Sequence, residues 1–167
     1  MEVHPVNIIY VDPARCTGCK VCEMVCSLFR EDEINPTKSR IYVASWEQAG
    51  VDIPIVCQQC EDPPCKEVCP THAISRNRET GAMVINESAC IGCRICISAC
   101  PFGAPIVRAD TGEVVKCDLC KGEPKCVEFC EPKALQYMPA SKAAILKKRT
   151  AAEKYEELIQ KVLVPAD

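Results

Sequence analysis

Sixteen cysteines crowd this 167-residue chain, and their spacing constrains the fold more than any other feature. They form four sets of four: Cys16, Cys19, Cys22 and Cys26; Cys57, Cys60, Cys65 and Cys69; Cys90, Cys93, Cys96 and Cys100; and Cys117, Cys120, Cys126 and Cys130. None is left over. The first and third sets follow C-x2-C-x2-C-x3-C. The second and fourth keep the outer spacings and lengthen the middle one to four and five residues. Three chemistries can use thiols packed this closely: disulfides, zinc and iron–sulfur clusters.

Disulfide frameworks belong to secreted chains. The N-terminal stretch "MEVHPVNIIYVDPARC" has no basic n-region, no apolar h-region, no small-residue cleavage site and no twin arginine. No run approaches the roughly 18 consecutive apolar residues of a membrane span. These features predict a cytoplasmic chain with no membrane segment, its thiols kept reduced for metal. Zinc sites present two C-x2-C knuckles, separated by a longer run, to one tetrahedral ion. Here three cysteines recur at three-residue intervals in one loop, which suits the corners of a cube. "CIGCRICISACP" (90–101) is the C-x2-C-x2-C-x3-C-P run of bacterial two-cluster ferredoxins, whose fourth cysteine ligates the other cluster. The spacing therefore predicts that Cys90, Cys93 and Cys96 grip one cluster. A short helix then carries Cys100 to a second, and Pro101 ends that helix. Pro70 stands in the same place after Cys69. Ser27 follows Cys26, and Pro132 comes two residues after Cys130, so the first and fourth sets are expected to leave their clusters differently.

Three Phe, one Trp and four Tyr give little material for a conventional core, so the cysteines are the expected staple. The formal charge of −3 is spread, and Lys and Arg form no nucleic-acid patch. The densest basic run, "KAAILKKRTAAEK" (142–154), reads as a solvated helix face. No catalytic triad, nucleophile elbow or carboxylate pair is present, so the chain is not expected to be an enzyme by itself.

Between the sets the sequence reads as short strands. "VNIIYVD" (6–12) alternates and is β-branched. "AISRNRETGAMVIN" (73–86) turns at Thr80 and Gly81, and "PIVRADTGEVVKC" (105–117) repeats that design. "SRIYVASW" (39–46) and "VDIPIV" (51–56) predict a further hairpin with Trp46 packed on the body. The tail, "PASKAAILKKRTAAEKYEELIQKVL" (139–163), predicts one helix capped by Ser141. Its stripe of Ile145, Ala152, Tyr155, Ile159 and Val162 would face either the chain's own surface or a partner. Gly18, Gly92 and Gly103 are expected in tight turns beside the clusters. His72, at a hairpin entrance, and His4, near a fraying end, are not expected as ligands, because the cysteines already complete the sets.

The order of the four sets, with "KCDLC" (116–120) opening the last, resembles the four-cluster electron-transfer subunits of molybdenum and tungsten oxidoreductases, such as those of dimethyl sulfoxide reductase, formate dehydrogenase and tungsten aldehyde oxidoreductase. The resemblance runs over residues 6–138. It implies an α+β fold of two bacterial-ferredoxin-like modules related by a pseudo-twofold, with a C-terminal helix added. The outer module would span 1–56 and 104–138, with a hairpin insertion at 27–56. The inner module would span 57–103, and the helical tail 139–167. It also implies four [4Fe-4S] clusters. Cys16, Cys19, Cys22 and Cys130 would hold the first, and Cys117, Cys120, Cys126 and Cys26 the second. Cys57, Cys60, Cys65 and Cys100 would hold the third, and Cys90, Cys93, Cys96 and Cys69 the fourth.

The implied function is a relay of single electrons between a catalytic tungsten or molybdenum subunit, an aldehyde oxidoreductase foremost, and a flavin subunit or soluble ferredoxin. Self-association is compatible with it. Nucleic acid and membrane are not expected partners. The departure from the family lies in the fourth set, where only "KGEPK" (121–125) separates the second and third cysteines and larger members carry a much longer gap. Two other readings compete: an iron–sulfur structural or assembly protein, and a free polyferredoxin serving a hydrogenase, carbon monoxide dehydrogenase or formate dehydrogenase.

Overall fold

The computed structural model describes residues 6–163, with side chains through Gln160. Strand β1 (Asn7–Val11) buries Ile8, Ile9 and Tyr10 and leads through a single turn, Pro13–Arg15, into the first cysteine loop. Helix α1 (Val21–Glu31) starts and stops at left-handed residues, Lys20 and Asp32, and carries Cys22 and Cys26 one turn apart. The hairpin of β2 (Tyr42–Trp46) and β3 (Val51–Ile55) follows. The second set runs into the one-turn helix α2 (Pro64–Glu67), started by the proline at its first position. Strands β4 (Ile74–Arg76) and β5 (Met83–Ile85) pair, the third set runs into α3 (Ile95–Ala99), and β6 (Ile106–Val107) pairs with β7 (Val114–Val115). The fourth set includes α4 (Lys125–Glu128). The chain then forms β8 (Leu135–Pro139) and α5 (Ala140–Leu163).

Every sheet has two strands and is antiparallel. Three are local hairpins. The fourth pairs β1 with β8, Ile9 opposite Tyr137, and so draws the two ends of the described chain together. Helix α1 packs on α4, and α2 on α3. The fold is α+β, as the sequence implies.

The core is built around thiols. Cys57, Cys117 and Cys126 are buried with Ile9, Ile41, Val56, Leu119 and Leu135. Cys65 and Cys96 are buried with Ile74, Met83 and Val114. Each large aliphatic side chain so buried contributes about 1.5–3 kcal/mol, and few such side chains are available. Among the described residues no helix is long and apolar enough to cross a membrane.

Two local expectations are corrected, and for the α5 stripe the first of the two alternatives, the chain's own surface, is not met. Trp46 is half-exposed rather than packed on the body, because it ends β2 on the outer face of the hairpin opposite Val51, which is also exposed. Ser141 lies inside α5 and does not cap it, since the helix begins at Ala140 directly off β8. In the predicted stripe, Ile145, Ala152, Tyr155 and Ile159 are exposed. The docking face is instead Ala140, Ala143 and Leu146, set against Ile8, Tyr10 and Met138. Only the start of α5 lies along the β1–β8 sheet, and just beyond it Lys147 Nζ donates to Gln58 Oε1 at 3.4 Å. His4 and the side chain of Val162 fall outside the described residues.

Candidate metal centre

The four cysteine loops share one backbone trick. The residue before the second cysteine of each set has a left-handed conformation: Gly18 at φ 66°, Gln59 at 51°, Gly92 at 67° and Leu119 at 59°. Lys20, Arg94 and Lys121, each directly after a second cysteine, do the same. Such residues reverse the curl of the chain and let three successive thiols face a common centre. For a residue with a β-carbon this conformation costs about 1–2 kcal/mol. Downstream, His72, Gly103 and Lys133 each stand three residues past the last cysteine of their sets and are also left-handed. His72 is exposed there.

The thiols stand around enclosed spaces. One cavity is lined by Cys117, Cys120 and Cys126 together with Cys26, reached from α1. A second is lined by Cys57, Cys60, Cys65 and Cys100, and a third by Cys90, Cys93, Cys96 and Cys69. Each encloses about 330 to 350 Å³ of free space, mouth included. Around Cys22 the neighbouring thiols include Cys19 and Cys130, while Cys16 closes the turn Pro13–Arg15. Among the described residues no three His, Cys, Asp or Glu side chains gather closely enough for a single metal ion.

The electrostatics suit groups that ionise only when metal binds. Burial, then the Glu23 carboxylate, pushes the Cys22 thiol up to about 12. Burial also takes Cys117 to about 12, against the backbone N–H of Leu119, and raises Cys126 well above the ordinary thiol range. Cys60, Cys65 and Cys96 are raised for the same first reason. At Cys69 a burial penalty is outweighed by the Thr71 hydroxyl and nearby backbone amides, and the thiol is lowered. Metal must displace the proton from each of these raised thiols, so loading of the sites releases protons and is favoured as pH rises.

Donors also reach the sulfurs. Arg40 N–H donates to Cys26 Sγ at 3.3 Å and Ala104 N–H to Cys100 Sγ at 3.4 Å. The buried Arg40 Nε has no protein partner, and Arg40 lines the Cys26 cavity. Arg40 pairs through Nη2 with Glu31 at 3.0 Å, and its partnerless Nε at a cavity of four thiols fits an anionic cluster with sulfur acceptors.

Four polar residues escape a reading of the sequence. Glu23 is buried and accepts from Val43 N–H at 2.6 Å, which ties α1 to β2. Arg40 is an isolated basic residue with no motif around it, and Lys116 opens "KCDLC" without its charge being marked as a feature of the site. Gln59 sits at a position where Gly18 and Gly92 signal the turn, and its own identity gives no such signal. Its hydrogen bonds explain why it is tolerated: Nε2 donates to Cys117 O at 3.1 Å, and Oε1 accepts from Met83 N at 2.8 Å.

A family model for the 4Fe-4S dicluster domain matches residues 50–138. The aliphatic sulfonate oxidoreductase polyferredoxin-like subunit of Pyrococcus furiosus is 48% identical over 122 residues, covering 73% of this chain and 70% of that one. A subunit of the anaerobic dimethyl sulfoxide reductase of Escherichia coli is 38% identical over 152 residues, covering 78% and 72%. A protein from the active site complex BamBC of benzoyl coenzyme A reductase, as isolated, superposes with a TM-score of 0.50 at 24% identity, over 95% of this chain and 92% of that one, a likeness of fold. The spacing of the cysteines, the fold and these relatives agree: the chain belongs to the 4Fe-4S dicluster family of oxidoreductase iron–sulfur subunits.

Proposed function

We propose that the sixteen cysteines hold four [4Fe-4S] clusters in crossed sets, and that the chain relays single electrons for a catalytic partner subunit. The observation that carries this is the lining of the three cavities. Each has three cysteines from one set and a fourth from another: Cys26 with the fourth set, Cys100 with the second and Cys69 with the third. By the same rule Cys130 joins Cys16, Cys19 and Cys22, beside which it stands near Cys22.

The crossing divides the chain into an outer module, 1–56 with 104–138, and an inner one, 57–103. The β1–β8 pair and the α1–α4 contact support the first, and the α2–α3 contact the second. Residues 139–167 form the tail.

Bound clusters would supply one-electron transfer over a range of roughly −700 to +450 mV. This chain's residues do the rest. The cysteines fix the clusters, and the amides of Arg40 and Ala104 place hydrogen bonds on two of their sulfurs. Ile9, Ile41, Val56 and Leu119 keep water from the outer site. The relatives named above support an oxidoreductase partner, and the partner proposed here is a tungsten- or molybdenum-dependent subunit. Electrons pass onward to a soluble carrier or a flavin subunit.

The test is a reductive titration of anaerobically prepared protein, with chromatography of the native material. The expected result is reversible uptake of about one electron per cluster and co-purification with a larger oxidoreductase subunit. Fully loaded clusters that take up no electrons would instead identify a structural protein. A lone, redox-active native chain would identify a free polyferredoxin.

A further inference from the structure

Lys116 is a buried lysine with no anionic partner. The residue is 5% exposed, and its ammonium donates to the carbonyls of Met83 and of Cys117, the latter at 3.2 Å. Among the described residues no carboxylate lies within ion-pair distance of it. A buried ammonium bonded only to neutral carbonyls is costly to keep. Lys116 lines the cavity of Cys57, Cys60, Cys65 and Cys100, and Cys117 beside it lines the cavity of Cys26, Cys120 and Cys126. The lysine therefore stands at the junction of two sites and faces one of them.

Its hydrogen bonds alone do not account for it. Gln59 already joins the same two residues with neutral groups, through the Cys117 carbonyl and the Met83 amide. What Lys116 adds at this junction is charge. Reduction adds one negative charge to a cluster, and a fixed positive charge nearby in a medium of low dielectric favours the reduced form.

We propose that Lys116 is an electrostatic positioning residue that raises the reduction potential of the cluster held by Cys57, Cys60, Cys65 and Cys100. The proposal rests on the cluster assignment made above. The charge makes this cavity hold an electron more tightly than it would without the lysine.

The experiment is a potentiometric titration followed by electron paramagnetic resonance on the full chain. It compares the parent with Lys116→Gln, which keeps donors and removes charge, and with Lys116→Arg, which keeps charge. A Cys60→Ser variant assigns the signal of this cavity. In Lys116→Gln the assigned cluster should become harder to reduce by about tenfold, a fall of about 59 mV for one electron. The cluster beside Cys117 should move less and the other two not at all, with iron content retained. Lys116→Arg should keep the parent midpoint.

An unmoved midpoint in Lys116→Gln, equal shifts in both variants, or loss of the cluster from both would overturn the proposal and leave the cluster assignment standing. If Cys60→Ser alters no signal and no iron content, the cavity holds no cluster, and both the assignment and this proposal fail.

Discussion

Gly18 sits where a β-carbon would displace a neighbouring carboxylate. An atom placed there would lie 2.5 to 2.7 Å from the Asp52 carboxylate on β3, and its φ of 66° is unfavourable for any other L-residue. Gly92 occupies the same place in the third set, with a φ of 67°, but has open space around it. The two glycines therefore separate two causes. Gly92→Ala should cost only backbone strain, about 1 kcal/mol. Gly18→Ala should cost that strain and also displace the Asp52 carboxylate from beside the first cysteine loop. Thermal melts with iron analysis should show a small loss for Gly92→Ala, and a larger one for Gly18→Ala with iron deficiency at the first set. Equal effects would mean that strain alone governs both loops.

At the scale of elements, the insertion that follows α1 is tied to the β6–β7 hairpin by charge. Lys38 Nζ lies 2.7 Å from Glu33 and 2.6 Å from Asp110, while Arg108 pairs with Glu31 and Asp110, each at 3.0 Å. Hydrogen bonds from Arg108, then Lys38, hold the Asp110 carboxyl well below the usual carboxylate range. A depressed carboxylate contributes stability that is present above its unfolded value, about 3.9, and is lost as pH falls below that value toward the folded one. Lys38 is raised by the same contacts, so its share persists until pH rises well into the alkaline range. The tie should be flat from about pH 5 to 9 and loosen below about pH 4. Because Asp110 and Glu33 are exposed, the effect is local. Asp110→Asn at neutral pH should reproduce it as faster hydrogen exchange at residues 36–40 and 108–113, with the rest of the molecule unchanged. Unaltered exchange in that variant would remove the tie from the account.

These elements also show what a sequence reveals. The three hairpins are legible because their turns and strands are neighbours, as at Thr80 and Gly81 between β4 and β5. Strand β8 is not legible, since "LQYMP" is short and its partner β1 lies at the other end of the described chain. The cysteine ligands are legible from spacing, and so are the turns at Gly18 and Gly92. The matching turns at Gln59 and Leu119 are hidden because burial and hydrogen bonding, not a missing β-carbon, make them tolerable. The face of α5 that docks is hidden for a different reason. Periodicity marks apolar positions, while the length of the supporting sheet decides which of them are covered.

For the whole molecule, the core is the cysteine sites. The two larger buried clusters contain Cys57, Cys117 and Cys126 in one and Cys65 and Cys96 in the other. Every local sheet has only two strands, a size marginal in water without support. Removing iron under reducing conditions should therefore unfold most of the chain, with loss of circular dichroism and protease resistance together. An apo form that kept both would show that the apolar core suffices. The proposed arrangement is four clusters, each held by three cysteines of one set and one of another. Diffraction from anaerobic crystals at the iron absorption edge tests it directly. Sixteen iron positions in four groups of four are expected, as sixteen ligands taken four at a time require, with Cys26 on the group of Cys117, Cys120 and Cys126. A map in which Cys26 shares a group with Cys16, Cys19 and Cys22, or in which the cavities hold single zinc ions, would contradict it.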